Sequence, residues 1–170
     1  GFKGLTRFKT LDLSKLTKLE ELTIYDEDIE ALDLSHNTKL TRLDLRLLQK
    51  LKTIDISKND ALDYLYVSRS GLAEFDLGSK PNLTKADIII NANLKSVNLT
   101  GCTALLNLGL ANNALEYVDF SKNTALESLN VNQNQFKALD LSKNTELTTL
   151  SCQENLLTCL DLSKNTKLST

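Results

Sequence analysis

Few side chains in this 170-residue chain could carry out covalent or metal chemistry. There is one histidine, His36, and there are three cysteines, Cys102, Cys152 and Cys159. A serine or cysteine nucleophile needs a histidine beside it, but His36 lies in a Ser-His-Asn-Thr turn segment far along the chain from Cys159. The cysteines lack the close spacing of a zinc site or of a CxxC redox motif. We therefore predict a chain that is not an enzyme and has no catalytic residue, no metal site and no cofactor.

A row of acidic side chains is the other feature that could do chemistry. Aspartate recurs at a nearly constant spacing, with Asn98 in place of one member: Asp12, Asp33, Asp55, Asp76, Asp119, Asp140 and Asp161. Stacked carboxylates about 5 Å apart repel by about 1 kcal/mol even in water. We expect hydrogen bonds from the Ser-Lys-Asn turn after each aspartate, together with nearby lysines, to offset this repulsion. The alternative is a cation-binding strip, although the repeats lack the glycine-rich nonapeptide pattern of calcium-binding repeats.

The composition excludes several classes of protein. With 20 Lys and Arg against 22 Asp and Glu, the net charge is −2, unlike that of a basic nucleic-acid binder or of a disordered chain. The chain contains no apolar stretch of about eighteen residues, the length that could span a membrane. Its first ten residues lack the apolar core of a signal peptide. Because methionine is absent, we expect a processed form or a piece of a longer protein. We predict no nucleic-acid partner and no membrane insertion by this segment.

The apolar residues follow a period of 21 or 22 residues. The phrase Leu-Asp-Leu-Ser, or a close variant, begins at residues 11, 32, 54, 75, 97, 118, 139 and 160. Each repeat also contains a second apolar segment of the form LxxLxL. Both segments alternate apolar and polar residues, which is a strand period, and turn-forming residues separate them. The pattern predicts a coil with two extended segments per turn and a core filled by most of the 37 leucines.

The second segment carries a family resemblance. The string LxxLxLxxNxL spans residues 105–115, 126–136 and 147–157, and it is the hallmark of leucine-rich repeats. The chain resembles the short bacterial class of this family, including internalin-type and Bacteroidetes surface proteins. This resemblance implies a right-handed leucine-rich-repeat solenoid, rich in β-structure, with parallel strands stacked in register and little or no α-helix.

The repeat defines one domain, over residues 1–170. We predict a partial N-terminal repeat or cap over residues 1–10, with Phe2, Leu5 and Phe8 covering the core, and about seven full repeats starting at 11, 32, 54, 75, 97, 118 and 139. A truncated last repeat covers residues 160–170. It leaves an open parallel edge, which predicts either that the native chain continues or that two copies associate end to end. Since both segments of each repeat look like strands, we also expect a second extended face where other family members have helix.

Two rows of asparagine accompany the leucines. The first contains Asn37, Asn59, Asn123, Asn144 and Asn165, and the second contains Asn91, Asn113, Asn134 and Asn155. The resemblance implies that these side chains point inward and bond backbone groups at the corners of the coil. Cys102 shares the position of the first row and Cys152 occupies an inward strand position, so we expect buried or half-buried thiols. Cys159 is expected to point outward.

The outward positions of the LxxLxL segments vary, and their N-terminal half stands out. The candidate partner-binding residues are Tyr25, Arg42, Asp44, Arg46, Tyr64, Tyr66, Lys85, Asp87 and Ile89. Tyrosine and arginine are enriched at binding hot spots, and tyrosine also stacks on sugar rings. The alternative interpretation is that tyrosine simply suits a strand.

These observations and the resemblance predict a binding function. The predicted role is a non-enzymatic binding or adhesion module of a secreted or cell-surface bacterial protein, located outside the cell. It would recognise a protein or a glycan through the variable face of the LxxLxL strands. The alternative is a structural spacer in a larger surface protein, with no ligand of its own.

Overall fold

The computed structural model describes residues 7–169, in which the chain winds into a coil of parallel strands and contains no helix. The LxxLxL segments form one seven-stranded sheet that joins successive repeats. Its strands, in spatial order, are β1 (Glu21–Tyr25), β3 (Arg42–Arg46), β5 (Tyr64–Ser68), β7 (Lys85–Ile89), β9 (Asn107–Gly109), β10 (Ser128–Asn130) and β11 (Thr149–Ser151). Seven stacked strands correspond to about six turns of a solenoid, as the repeat predicts.

The Leu-Asp-Leu-Ser side of the coil is also extended, but its strands are shorter. They are β2 (Ala31–Asp33), β4 (Thr53–Asp55), β6 (Glu74–Asp76) and β8 (Ser96–Asn98), paired as β2 with β4 and β6 with β8. From residue 118 onward the described residues on this side are extended without forming strands. The second face therefore exists as two short sheets rather than as one continuous sheet.

Strict register aligns equivalent residues of neighbouring repeats. Leu22 of β1 pairs with Leu43 of β3, which pairs with Leu65 of β5. The inward side chains meet in one core that runs along the coil, and Leu43 and Leu65 are fully buried there. Burying one leucine contributes about 2 kcal/mol, so each repeat gains stability chiefly through its neighbours.

The first asparagine row is a buried ladder that ties each turn to the turn before it. Asn144 donates through Nδ2 to the backbone carbonyls of Phe120 (3.1 Å) and Asn123 (2.8 Å). The same pair of bonds, to the preceding turn, is made by Asn37, Asn59, Asn123 and Asn165. Each of these carbonyls also accepts a backbone N–H of its own turn. A carbonyl oxygen has two lone pairs, and the asparagine amide supplies the second donor from the next turn.

The second asparagine row repeats this arrangement after the strands of the larger sheet. Asn134 donates to the carbonyls of Leu110 (2.8 Å) and Val131 (3.1 Å), and its Oδ1 accepts the backbone N–H of Leu115 (3.1 Å). Comparable bonds are made by Asn91, Asn113 and Asn155. The inward asparagines implied by the resemblance are thus confirmed at both corners.

Lys80 and Cys102 interrupt the first ladder. Lys80 is completely buried, and its ammonium donates to the carbonyl of Ser79 (2.9 Å) and lies 3.9 Å from a carboxylate oxygen of Asp60. Burial lowers the pKa of Lys80 and raises the pKa of the buried Cys102 thiol to about 11. The burial of Cys102 is as predicted, as are the half-buried Cys152 and the exposed Cys159.

Local hydrogen bonds stabilise the aspartate row, as predicted. Asp12 accepts the backbone N–H of Ser14 at 2.9 Å, and equivalent bonds from the residue two positions later reach Asp33, Asp55, Asp76, Asp119, Asp140 and Asp161. The N–H of Ser14 lowers the pKa of Asp12. The Asn98 side chain accepts the same bond from the backbone N–H of Thr100 at 3.0 Å. This position therefore requires a hydrogen-bond acceptor in the side chain, not a negative charge.

The chain leaves the larger sheet through a left-handed corner in every turn. Non-glycine residues with φ between 51° and 58° occupy it: Asp26, Leu47, Arg69, Ile90, Asn112, Gln133 and Glu154. Leucine and isoleucine are poorly suited to this conformation, which costs about 1–2 kcal/mol per residue. The corner directs Ile90 outward, beside the end of β7.

The N-terminal cap lies only partly within the described residues. Phe2 and Leu5 lie outside them. Phe8 is 45% exposed, and its backbone N–H donates to the Glu27 carboxylate at 2.7 Å. The cap therefore stays a prediction.

The ladder predicts a large loss of stability when one asparagine is removed. Asn144→Ala removes two buried hydrogen bonds, although the carbonyls of Phe120 and Asn123 keep the backbone N–H donors of Asn123 and Leu126. The loss of two such bonds costs about 1–3 kcal/mol. Urea unfolding followed by circular dichroism should show a much lower midpoint for this variant than for Asn93→Ala, in which the replaced side chain is exposed. Equal midpoints would contradict a structural role for the ladder.

The aspartate row predicts acid sensitivity of a defined sign. Hydrogen bonding lowers the folded-state pKa of Asp119 and Asp140 below the ordinary 3.8. Their contribution to stability is therefore fully present above about pH 4 and is lost as the pH falls through the lowered values. An Asp119→Asn/Asp140→Asn variant keeps both turns, as Asn98 does, and its melting temperature should fall less between about pH 6 and about pH 3. An identical fall in both proteins would contradict this assignment.

Candidate functional site

The candidate site is the outward surface of the larger sheet. In-register pairing places Tyr64 of β5 beside Arg42 of β3 on one side and beside Lys85 of β7 on the other. Parallel strands lie about 4.8 Å apart, so side chains of one column contact their neighbours. All nine predicted residues lie on β1, β3, β5 and β7 and are exposed or half-exposed. Their partner-binding role stays a prediction.

Tyr64 is enclosed between two cations. The Arg42 guanidinium carbon lies 4.2 Å from the centre of the Tyr64 ring, and the Lys85 ammonium nitrogen lies 5.9 Å from it. Cation–π attraction contributes about 0.5–1 kcal/mol at an exposed site. The two cations come from the strands on either side of β5, so they enclose the ring from its two sides.

Tyr66 and Arg46 form a second stacked pair. The Arg46 guanidinium carbon lies 4.3 Å from the centre of the Tyr66 ring. Two parallel hydrogen bonds of 2.7 Å join Arg46 to the Asp44 carboxylate, and this pairing raises the pKa of Arg46. A bidentate bond fixes the guanidinium in position, so the Tyr66 side of the cluster is ordered before any partner binds. We call these two tyrosines and their three cations the Tyr/Arg cluster: Arg42, Arg46, Tyr64, Tyr66 and Lys85.

A depression lies beside this cluster, where the column of large side chains gives way to small ones. It has a volume of about 450 Å³ and is lined by Lys85, Asp87, Ile89, Ile90, Asn107, Leu108, Gly109, Ala111, Asn112, Ser128 and Asn130. Gly109 makes the close approach of Asp87 possible, because a Cβ at residue 109 would clash with the Asp87 carboxylate. This depression was not predicted from the sequence, although the glycine in an otherwise polar column was a signal of it.

The apolar rim differs from the prediction in one detail. Tyr25 is well exposed, as predicted, but Ile89 is only half-exposed. Ile90 is the more exposed neighbour, because the left-handed corner turns it outward. The fourth tyrosine, Tyr117, is exposed at a position outside the strands of the sheet.

The opposite side of the coil has depressions of similar size. One, of about 420 Å³, lies where β4 and β6 fail to pair, and another, of about 470 Å³, lies over β2 and β4. Their walls combine the recurring aspartate positions with residues that differ between repeats, such as Lys52, Thr53 and Glu74. Neither depression is lined by a residue of the Tyr/Arg cluster.

The described residues show no arrangement for covalent chemistry. His36 is exposed and lies 3.2 Å from the hydroxyl of Ser35, within its own turn. Within residues 7–169, no three His, Cys, Asp or Glu side chains are grouped so that they could hold a metal ion. The same residues contain no helix of a length and hydropathy that could cross a membrane. What the larger sheet presents is a set of ordered cations, phenols and amides, which suits non-covalent recognition.

The enclosure of Tyr64 predicts that its phenol loses its proton at a higher pH than an ordinary tyrosine does. Burial, Asp44 and Asp87 raise the pKa of Tyr64 above 10.0, so the hydroxyl stays protonated as the pH rises through that value. The chain has no tryptophan, so ultraviolet absorbance reports tyrosine ionisation directly. Tyr64→Phe should remove a late-titrating component, and Asp87→Asn should move that component to lower pH. If the component lost in Tyr64→Phe titrated at the ordinary tyrosine pKa, and Asp87→Asn shifted nothing, the enclosed ring would be contradicted.

Comparison with known proteins was made for the whole chain. No family model and no curated protein matches it. Among solved structures, the functional domain of InlJ from Listeria monocytogenes, which includes a cysteine ladder, is 35% identical over 95% of this chain and 36% of that chain, with a TM-score of 0.85. The internalin InlF from Listeria monocytogenes strain 4b F2365 is 18% identical over 92% of this chain and 61% of that chain, with a TM-score of 0.50.

The chain thus spans about a third of the InlJ chain and less than two thirds of the InlF chain. At 18% identity, InlF shows similarity of fold alone. The 21-residue spacing and the parallel sheet agree with both similarities. The chain is therefore a leucine-rich-repeat β-solenoid of the kind found in the Listeria internalins.

Proposed function

We propose that this chain is a non-enzymatic, adhesion-type module that binds a protein outside the cell. The binding surface is the outward face of β1, β3, β5 and β7, which carries the Tyr/Arg cluster. One observation carries the proposal: Arg42 and Arg46 each stack on a tyrosine of the same face, at 4.2 and 4.3 Å. Tyrosine and arginine supply much of the energy at protein interfaces.

The order of the cluster supports binding. Long side chains lose about 0.5–1.5 kcal/mol of conformational freedom each when an interface immobilises them. Here Arg46 is already held by two bonds to Asp44, and Tyr64 is already held between Arg42 and Lys85. A partner that docks on this face therefore meets a surface with part of that entropy already lost.

The covered ring faces favour a protein over a glycan. A sugar ring stacks on an exposed aromatic face, but Arg42 and Lys85 cover the Tyr64 ring and Arg46 covers a face of the Tyr66 ring. The groups left outward are hydroxyls, guanidinium edges and the apolar rim at Ile90. Such a mixture of polar and apolar groups matches the composition of protein interfaces.

The spacer role is the alternative, and the internal pairing of charge favours it. Arg46 bonds Asp44, and Lys85 lies 3.8 Å from Asp87. Such pairs also occur on surfaces that bind nothing. The extracellular location and the adhesion-type role rest on the similarity to InlJ. The end-to-end self-association stays a prediction.

Binding to an array of purified extracellular proteins tests the proposal. The unmodified domain should bind at least one protein, and Arg42→Ala/Tyr64→Ala/Tyr66→Ala should lose most of that binding, because hot-spot truncations each cost about 2 kcal/mol or more. The matched control is Asn107→Ala/Ser128→Ala/Thr149→Ala, which truncates one column of the same sheet in its C-terminal half.

Melting temperatures of all three proteins verify folding. Binding that survives in the cluster variant, or that is lost equally in the control, contradicts the proposed surface. Binding to no protein at all supports the spacer.

A further inference from the structure

We infer that the partner presents acidic side chains, which bind to the cations on the two sides of Tyr64. This inference rests on the proposed function and specifies the chemistry of the partner.

The distribution of charge on the face is the first argument. Arg46 is neutralised by Asp44 through two bonds of 2.7 Å. Within residues 7–169, Arg42 has no carboxylate within 4.0 Å, although Glu21 is its register partner on β1. Lys85 forms a looser ion pair with Asp87, at 3.8 Å, which is too long for a hydrogen bond. The cations of this face that keep free hydrogen-bond donors therefore lie in the column that contains Tyr64.

The hydrogen-bonding capacity of this column is the second argument. Guanidinium and ammonium groups donate hydrogen bonds and cannot accept them. The Tyr64 hydroxyl forms no hydrogen bond to another of the described residues, and its raised pKa keeps the proton on the oxygen. Three neighbouring groups thus present donors, and a carboxylate is the acceptor that pairs best with charged donors.

The separation of the cations defines the spacing on the partner. Arg42 and Lys85 lie against opposite faces of the ring, 4.2 and 5.9 Å from its centre, so their charged groups are up to about 10 Å apart. One carboxylate cannot reach both. Two carboxylates at alternate positions of an extended segment, about 6.8 Å apart along the chain, can each pair with one cation.

The acidic residues of the face limit where such a segment can lie. Asp44 and Asp87 occupy the second column, on either side of Tyr66, and they repel a negative partner. Glu21 occupies the first column on β1, beside Arg42. The partner's acidic side chains therefore lie over the part of the first column from Arg42 to Lys85. Lys85 and Asn107 border both this column and the depression floored by Gly109, so the segment can continue into that space.

Surface plasmon resonance on immobilised poly-L-glutamate tests this inference, with poly-L-lysine and heparin as the other surfaces. The domain should bind polyglutamate at low salt, and its binding should weaken strongly at high salt because the charges are exposed. Arg42→Gln/Lys85→Gln should weaken binding about tenfold. The control, Lys122→Gln/Lys143→Gln, removes the same net charge from exposed turns on the other side of the coil, and it should bind like the unmodified domain.

Three results would overturn the inference. The first is stronger binding to polylysine than to polyglutamate, and the second is polyglutamate binding that is unchanged in the Arg42→Gln/Lys85→Gln variant. The third is binding that depends on the cluster but occurs with heparin alone, which would indicate a sulfated glycan. If the domain does not bind polyglutamate, but its binding to an array protein is still lost in the Tyr/Arg cluster variant, only the acidic chemistry of the partner is wrong. If the array protein is bound without the cluster, the proposed function itself fails.

Discussion

The structure depends on one interaction, the paired hydrogen bonds from a buried asparagine amide to two carbonyls of the preceding turn. Asn59 illustrates it, with bonds of 3.1 and 2.8 Å to the carbonyls of Leu34 and Asn37. The leucine core contributes most of the free energy, but leucine packing is non-directional and does not by itself specify how far one turn advances over the next. A bond that must reach a particular carbonyl does specify it. The ladder therefore determines the register in which the sheet forms.

Register is what converts a repetitive sequence into a specific surface. A slip of one residue would turn every outward side chain of a strand inward. The asparagine rows prevent this, the first row at Asn59 and the second row at Asn91. Arg42, Tyr64 and Lys85 therefore meet across three strands although they are 21 or 22 residues apart in sequence. The residues that build the coil and the residues that are available for recognition are thus separate sets, and variation in one set leaves the other intact.

The sequence predicts the constant part of this structure well. The ladder asparagines and the turn-capping aspartates were predictable, because each meets a backbone requirement that recurs in every turn. Lys80 was not, since lysine is normally a surface residue and only the three-dimensional stack shows that it replaces a ladder asparagine. The position of Ile90 depends on a left-handed corner that no glycine marks in the sequence.

The candidate site was predictable in membership but not in arrangement. Columns follow from the period, so the sequence indicates which residues share a face. Side-chain conformation does not follow from the period. The stacking of Arg46 on Tyr66 and the two hydrogen bonds from Arg46 to Asp44 depend on rotamers. For the same reason, the sequence left protein and glycan partners open. The depression depends on Asp87 leaning over Gly109, which is again a matter of three-dimensional contact.

Native-state amide hydrogen exchange tests most directly the claim that the ladder and the recognition surface are separate. We would compare the unmodified domain with Asn59→Ala and with a variant that lacks the Tyr/Arg cluster side chains. The account predicts that Asn59→Ala lowers the protection of amides in β3 and β5 by at least about tenfold, whereas loss of the cluster changes it by less than about threefold. Equal loss of protection in both variants would contradict the account.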